Sequence, residues 1–295
     1  MRFIDNVLQG FIDDAGTDFA RATYAAMRER SVGLGVMGFH SFLQQNGIPL
    51  ESVMAKVWNK KMFKHIRGQC DEASRTLADE RGACPDAADF GIKERFSNKL
   101  AIAPTASISI ICGGASPGIE PSAANVYNHK TLSGSFVVRN PYLEKVLAEH
   151  GKNDEDTWTS ITTTQGSVQH LDFLDDNWKA VFKTAFEIYQ RWLIEHAADR
   201  TPFICQSQSL NVFLPADVHK RDLHQIHMMA WKRGVKSLYY CRSLSIQRAD
   251  VVSGDALAIG DQALGMPKVD GTRPLPLGTP KQGELTNYEE CLSCQ

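Results

Sequence analysis

The chain has 295 residues, 43% hydrophobic and 22% charged, with a formal net charge of -2; this is a globular composition, long enough for one large domain or two ordinary ones. So small a charge gives no general pull toward nucleic acid or anionic lipid, and no apolar run approaches the ~20 residues that span a bilayer. Seven cysteines, scattered and odd in number, do not read as a disulfide framework, and the acids in "MRFIDNVLQGFIDDAG" do not suit a secretory signal, so a reducing cytoplasm is expected.

In chain order, residues 2–30 read as helical, with Phe3, Ile4, Val7, Leu8 and Phe11 on one face. The glycine-interleaved run Val32 to Met37 feeds an amphipathic segment that stops at Gly47, the pattern of strand, tight turn and helix. Residues 51–82 form a long polar helix with Gly82 as its cap. A short buried strand, Leu100 to Ala103, runs into the small-residue loop of "APTASISIICGGASPGIEP". The clearest helical period lies at 178–198, where Trp178, Val181, Phe182, Ala185, Phe186, Tyr189, Trp192, Leu193 and His196 recur at helical spacing. "FICQSQSLNVFL" reads as a strand, 216–233 as a helix, and "VKSLYYCRS" as a further strand. Strands alternating with helices argue an α/β fold with parallel pairing. Beyond Arg248 the chain is rich in glycine and proline without a sustained period, and 249–295 reads as a flexible tail ending in "CLSCQ".

Three stretches carry candidate chemistry. Tyr239 and Tyr240 stand side by side, although neighbours on a regular strand point to opposite faces; a buried strand with one ring inside and one outside is the plain reading, and what stands around the pair has to settle it. Thr105, Ser107 and Ser109 follow a strand and present hydroxyls and N–H groups to a phosphate, or simply pack a turn; this stretch lacks the P-loop lysine and is not a G-x-G-x-x-G. Cys291 and Cys294 form a C-x-x-C pair. A second ligand pair for zinc is missing nearby, and the pair does not open a βαβ helix as in thioredoxin-like folds. A dithiol on a tether of roughly 35 Å reach fits better, able to exchange with another disulfide. His219, His224 and His227 do not share a metal face, and their helix reads as groove-forming.

"PTASIS…GIEP", "GVKSLYY" and a tail ending in two cysteines occur here in the order of one family. The chain resembles the C-terminal part of the large, catalytic subunit of class I ribonucleoside-diphosphate reductases. "FIDNV", "RSVGLGVMGF" and "ERGACP" are similar to that family's intervening segments. The resemblance implies a ten-stranded α/β barrel, with 1–248 as its C-terminal half and 249–295 as a redox tail. It implies that Tyr239 and Tyr240 relay a radical, that Pro104, Thr105, Ala106, Ser107 and Ile108 bind the substrate diphosphate, and that Cys291 and Cys294 re-reduce an active-site disulfide. The double tyrosine favours class I over cobalamin-dependent relatives. The implied partners are a radical-generating small subunit docked at 216–233, thioredoxin or glutaredoxin, and a ribonucleoside diphosphate; no nucleic acid and no membrane is involved. No metal or cofactor is expected on this chain, since the metal site of the small subunit supplies the radical.

One departure is large. The family's N-x-C-x-E loop is absent from these 295 residues. That loop, the disulfide-forming cysteines and the ATP/dNTP effector sites are expected on an N-terminal half encoded apart, as in a split gene. Cys241 is expected to pack. Two rival readings are an inactive module that docks the small subunit and a thiol-redox protein that uses only its tail.

Overall fold

The computed structural model describes residues 1–131, 134–215 and 217–243; Cys291, Cys294 and the whole of 249–295 lie outside them. In chain order the elements are α1 (Arg2–Asp14), α2 (Ala20–Glu29), α3 (Phe39–Gln45), α4 (Val53–Arg81), α5 (Pro85–Ala88), α6 (Ala106–Ile111), β1 (Val126–Thr131), β2 (Gly134–Arg139), α7 (Pro141–Glu149), α8 (Glu155–Thr163), α9 (Asp176–Val181), α10 (Gln190–Arg200), β3 (Val212–Leu214), α11 (Lys220–Lys232) and β4 (Cys241–Ser243).

Four short segments pair in parallel, in chain order. Leu34 bridges Leu100, Ile102 bridges Gln208, and β3 pairs with β4. The N–H groups of Val32 and Leu34 donate to the carbonyls of Asn98 and Lys99, and those of Ile102 and Ser209 tie the second segment to the third. A parallel pair needs a crossover between its strands, and here α3 with α4, the stretch from α6 to α10, and α11 provide them. This is an α/β arc with helices packed on the ladder. Phe39, Leu43, Phe63, Leu100, Ile194 and Leu210 form the centre of that core with no exposed surface; each such side chain contributes roughly 1.5–3 kcal/mol. A second core gathers Leu143, Leu147, Trp158, Ile161, Val168 and Phe182.

Local chemistry explains some of the boundaries. The Ser52 hydroxyl accepts from Ala55 N, and α4 ends where Gly82 takes φ 86°. The helical stretch 2–30 is two helices, broken around Gly16 by a 3-10 turn at Thr17–Phe19. Its apolar face also divides: Ile4 and Leu8 pack against Val32, Leu77 and Phe96, whereas Phe3, Val7 and Phe11 are exposed. Val32 to Met37 contributes only the bridge at Leu34, and the helix expected at 216–233 spans Lys220–Lys232, with His219 Nδ1 capping Arg221 N.

The helix expected at 178–198 is interrupted between Val181 and Gln190. Tertiary partners take the backbone groups that a continuous helix would use. Asn125 Nδ2 donates to Phe182 O at 2.7 Å and Ala185 N donates to Ser122 O, while the nearby Glu187 Oε2 takes Thr184 N. Val181, Phe182 and Ala185 are buried all the same, whereas Tyr189 on the same expected face is exposed, so the apolar spacing holds only in part and its helical reading fails. The antiparallel hairpin of β1 and β2, Val126 opposite Arg139, had no counterpart among the expected elements.

A buried ionic cluster ties α1 to three later segments of the chain. Asp5, fully buried, accepts from Arg30 at 2.7 Å, Arg81 at 2.7 Å and Arg95 at 3.1 Å. Burial pushes its carboxyl up, but the bonds from Arg30, Arg95 and Arg81 outweigh burial and hold it below the usual range. Asp5→Asn leaves three guanidinium groups around a neutral side chain, and should cost about 3–5 kcal/mol in urea unfolding at pH 7. A depressed carboxylate stabilises above its unfolded value of ~3.9 and loses that contribution as pH falls through its lower folded value. The gap between parent and variant should therefore be full above about pH 5 and narrow toward pH 2. A gap independent of pH would show that the charge of Asp5 is irrelevant.

Candidate functional site

The loops at the carboxyl end of the ladder are tied to one another. Gly38, at φ 77°, donates to Ser116 O at 2.8 Å, and Ser41 and Ser116 exchange N–H···Oγ bonds at 3.1 and 2.8 Å. Gly118 N donates to the Thr105 hydroxyl at 2.8 Å. A Cβ at Gly118 would stand 3.0 Å from Ala103 O at a positive φ, so a side chain there would be both crowded and strained at the strand exit. Thr105 itself sits at φ 54°, a conformation uncommon for a side-chain-bearing residue.

Pro104, Thr105, Ala106, Ser107 and Ile108 occupy this exit. Thr105 precedes α6, and its hydroxyl is engaged by Gly118 rather than capping the helix. The N–H groups of the first helical turn, at Ala106, Ser107 and Ile108, have no carbonyl partner within the helix. Ser107 and Ile108 are exposed. The first turn of α6 thus presents backbone donors, with the exposed Ser107 among them.

Tyr239 and Tyr240 are in contact, their ring centroids 4.1 Å apart and their planes tilted by 52°. A regular strand does not allow this for neighbours. The hydrogen bonds explain it. Tyr239 N donates to Leu210 O, which sets Tyr239 opposite Asn211, whereas Val212 N donates to Tyr240 O, which sets Cys241 opposite Val212. Two tyrosines therefore face one residue, the count of a β-bulge, and a bulge re-aims its side chains. Both rings are about two-fifths exposed. Upstream, Lys236 Nζ donates to the carbonyls of Ile204, Cys205 and Gln206 and anchors the approach to the bulge.

The register places loop and tyrosines at one level. Ile102 lies opposite Gln208, so Pro104 leaves the ladder level with Leu210, the residue that binds Tyr239. Two strand spacings separate them, about 10 Å. Two residues missed by the sequence reading stand between. Glu120 is buried; its Oε1 accepts from Asn211 N at 2.7 Å and its Oε2 from Asn211 Nδ2 at 2.9 Å, and Asn211 Oδ1 accepts from Tyr240 N at 3.0 Å. Burial pushes the Glu120 carboxyl up, opposed by these bonds and by the charge of Arg242. The acid inside "GIEP" was the signal available, since a small-residue loop gives a carboxylate little reason to be there.

Cys241, expected to pack, is exposed, as are Tyr239 and Tyr240 before it. Along α11, His224, Met228, Met229, Lys232 and Arg233 with Arg191 line a cleft of ≈ 470 Å³. Among the described residues no helix is long and apolar enough to cross a membrane, and no group of three or more His, Cys, Asp or Glu residues could hold a metal ion.

Residues 1–93 and 88–241 match the ribonucleotide reductase barrel domain. Among curated relatives, the ribonucleoside-diphosphate reductase large subunit of Invertebrate iridescent virus 6 is 47% identical over 86% of this chain and 27% of its own length. A protein of the same name from Invertebrate iridescent virus 3 is 44% identical over 85% of the chain and 40% of its own length. Among solved structures, the Actinobacillus ureae class Id ribonucleotide reductase alpha subunit superposes with a TM-score of 0.76 at 38% identity, covering 83% of this chain and 45% of that one. The chain thus spans less than half the length of these relatives. With its parallel ladder, its strand-exit loop and its paired tyrosines in place, the chain belongs to the ribonucleotide reductase barrel-domain family.

Proposed function

We propose that this chain is the C-terminal part of a ribonucleoside-diphosphate reductase large subunit, reducing ribonucleoside diphosphates together with an N-terminal half and a radical-generating small subunit. The observation that carries this reading is the tyrosine contact at 4.1 Å, in a chain of this family. A phenol that gives up one electron and its proton becomes a neutral phenoxyl, and a second phenol in contact restores it by the same exchange. Tyr239 and Tyr240 in this role pass an oxidising equivalent from the small subunit toward a cysteine of the N-terminal half, one electron and one proton at each step.

The other roles accord with the same reading. The diphosphate sits on the N–H groups of 106–108, with Pro104 and Thr105 shaping the turn. The small subunit docks along α11, where the basic rim of Arg191, Lys232 and Arg233 beside Met228 and Met229 suits an acidic, apolar peptide. A Cys291 or Cys294 thiolate attacks the disulfide left by turnover, and the second thiol displaces the mixed disulfide, so that two electrons and two protons move to the barrel. Thioredoxin or glutaredoxin then reduces the tail. ATP and deoxynucleotide effectors belong to the N-terminal half. Five free cysteines among the described residues suit a reducing cytoplasm.

The test of the relay is Tyr239→Phe and Tyr240→Phe. Each removes the oxidisable O–H and keeps the ring's packing. In the complex with both partners, each variant should lose turnover of CDP by more than a hundredfold while its urea midpoint and small-subunit affinity stay at the parent values. Near-normal rates in both would make the pair structural.

The tail is tested separately. A Cys291→Ser, Cys294→Ser double variant should complete the first turnover from a pre-reduced complex and then stop with thioredoxin as reductant, and a small dithiol should partly restore cycling. Full multiple turnover with thioredoxin would remove the tail from the cycle.

A further inference from the structure

A bulge leaves one ladder N–H without its backbone acceptor, and a partly shielded N–H is stabilised by finding another. At Tyr240 that acceptor is a side chain, Asn211 Oδ1, at 3.0 Å. We propose that Asn211 and Glu120 are positioning residues that clamp the tyrosine bulge and hold its two phenols in contact.

The clamp is directional. Glu120 and Asn211 are 5% and 2% exposed, so neither can trade its bonds for water. A carboxylate only accepts, and Glu120 accepts twice from Asn211, from its backbone N at 2.7 Å and its Nδ2 at 2.9 Å. With Nδ2 committed to Glu120, the amide has only one orientation, and Oδ1 faces Tyr240 N. Turned over, it would set NH₂ against the Tyr240 N–H and oxygen against the carboxylate. The carboxylate of one crossover loop thereby selects the amide orientation on the third strand segment, and that amide fixes the bulge on the fourth. Arg242, two residues beyond Tyr240, adds its charge to the field at Glu120. The clamp itself is independent of the relay reading; only its consequence for turnover rests on it.

A swap of donors and acceptors tests this. Glu120→Gln sets NH₂ against NH₂ at the 2.9 Å bond, and also removes a buried charge. Asn211→Asp sets oxygen against oxygen at the same place. Both are isosteric. The double variant exchanges the partners: Gln Nε2 donates to Asp Oδ2, Gln Oε1 accepts from the 211 N–H, and Asp Oδ1 accepts from Tyr240 N. In the full 295-residue chain carrying 3-fluorotyrosine at 239, each single variant should move the fluorine resonance toward its solvent value, and the double variant should return it to the parent position. In the complete enzyme each single variant should lower kcat about tenfold with nucleotide KM unchanged, and the double variant should recover it. Parent-like resonances in both single variants, or a double variant that recovers nothing, would overturn the clamp. If Tyr239→Phe and Tyr240→Phe enzymes turn over normally, the relay reading falls, and the fluorine shifts still decide the clamp.

Discussion

A parallel strand pair cannot be closed by a tight turn, and this constraint shapes the rest of the molecule. Each ladder segment must run out at one end, cross over through helices and return to start at the other. Repeated in one direction from Leu34 to Leu100, from Ile102 to Gln208 and from Val212 to Cys241, the rule collects every strand exit at one end of the sheet. That is where α/β sheets place their ligands. It also sets the close approaches. Gly35 passes the second segment where a Cβ would stand 2.9 Å from Ala101 O, so the first exit carries glycine for want of space.

The crossovers then have to be held without the local bonds that a hairpin supplies, and polar side chains hold them at buried positions. Asp5 gathers three arginines from distant segments. Asn125 binds Gly166 O and Phe182 O, and Gln190 accepts from Phe213 N while donating to Ala185 O and Ile188 O. Glu120 and Asn211 belong to the same class. Buried groups of this kind leave few alternatives, because a misplaced partner strands a donor or acceptor away from water. They are therefore suited to fixing a register to within one residue, and one residue is the margin on which the tyrosine contact depends.

Much of this was legible in the sequence. The double tyrosine, the small-residue exit loop and the ends of α4 each break or satisfy a local rule: period, cap chemistry, or residue size. The fold class came from alternation. What could not be read were features decided by distant partners. Val181, Phe182 and Ala185 stand at helical spacing and are buried, yet Ser122 and Asn125 take the backbone groups that would make the stretch a helix. The apolar face of α1 carries five residues in sequence, and only Ile4 and Leu8 pack, partly buried, against Val32, Leu77 and Phe96. Asn211 and Glu120 lie 91 residues apart, and nothing local connects them.

The central claim is that Tyr239 and Tyr240 carry an oxidising equivalent, and the most direct measurement places a probe on the path. A more readily oxidised phenol, such as 3-aminotyrosine, at 240 would act as a thermodynamic trap in the complex with the N-terminal half, the small subunit and nucleotide. Rapid-freeze electron paramagnetic resonance should then reveal a radical on residue 240, growing as the small subunit's radical declines in equal amount. A small-subunit radical that persists unchanged, with no signal at residue 240 in an otherwise assembled complex, would contradict the relay.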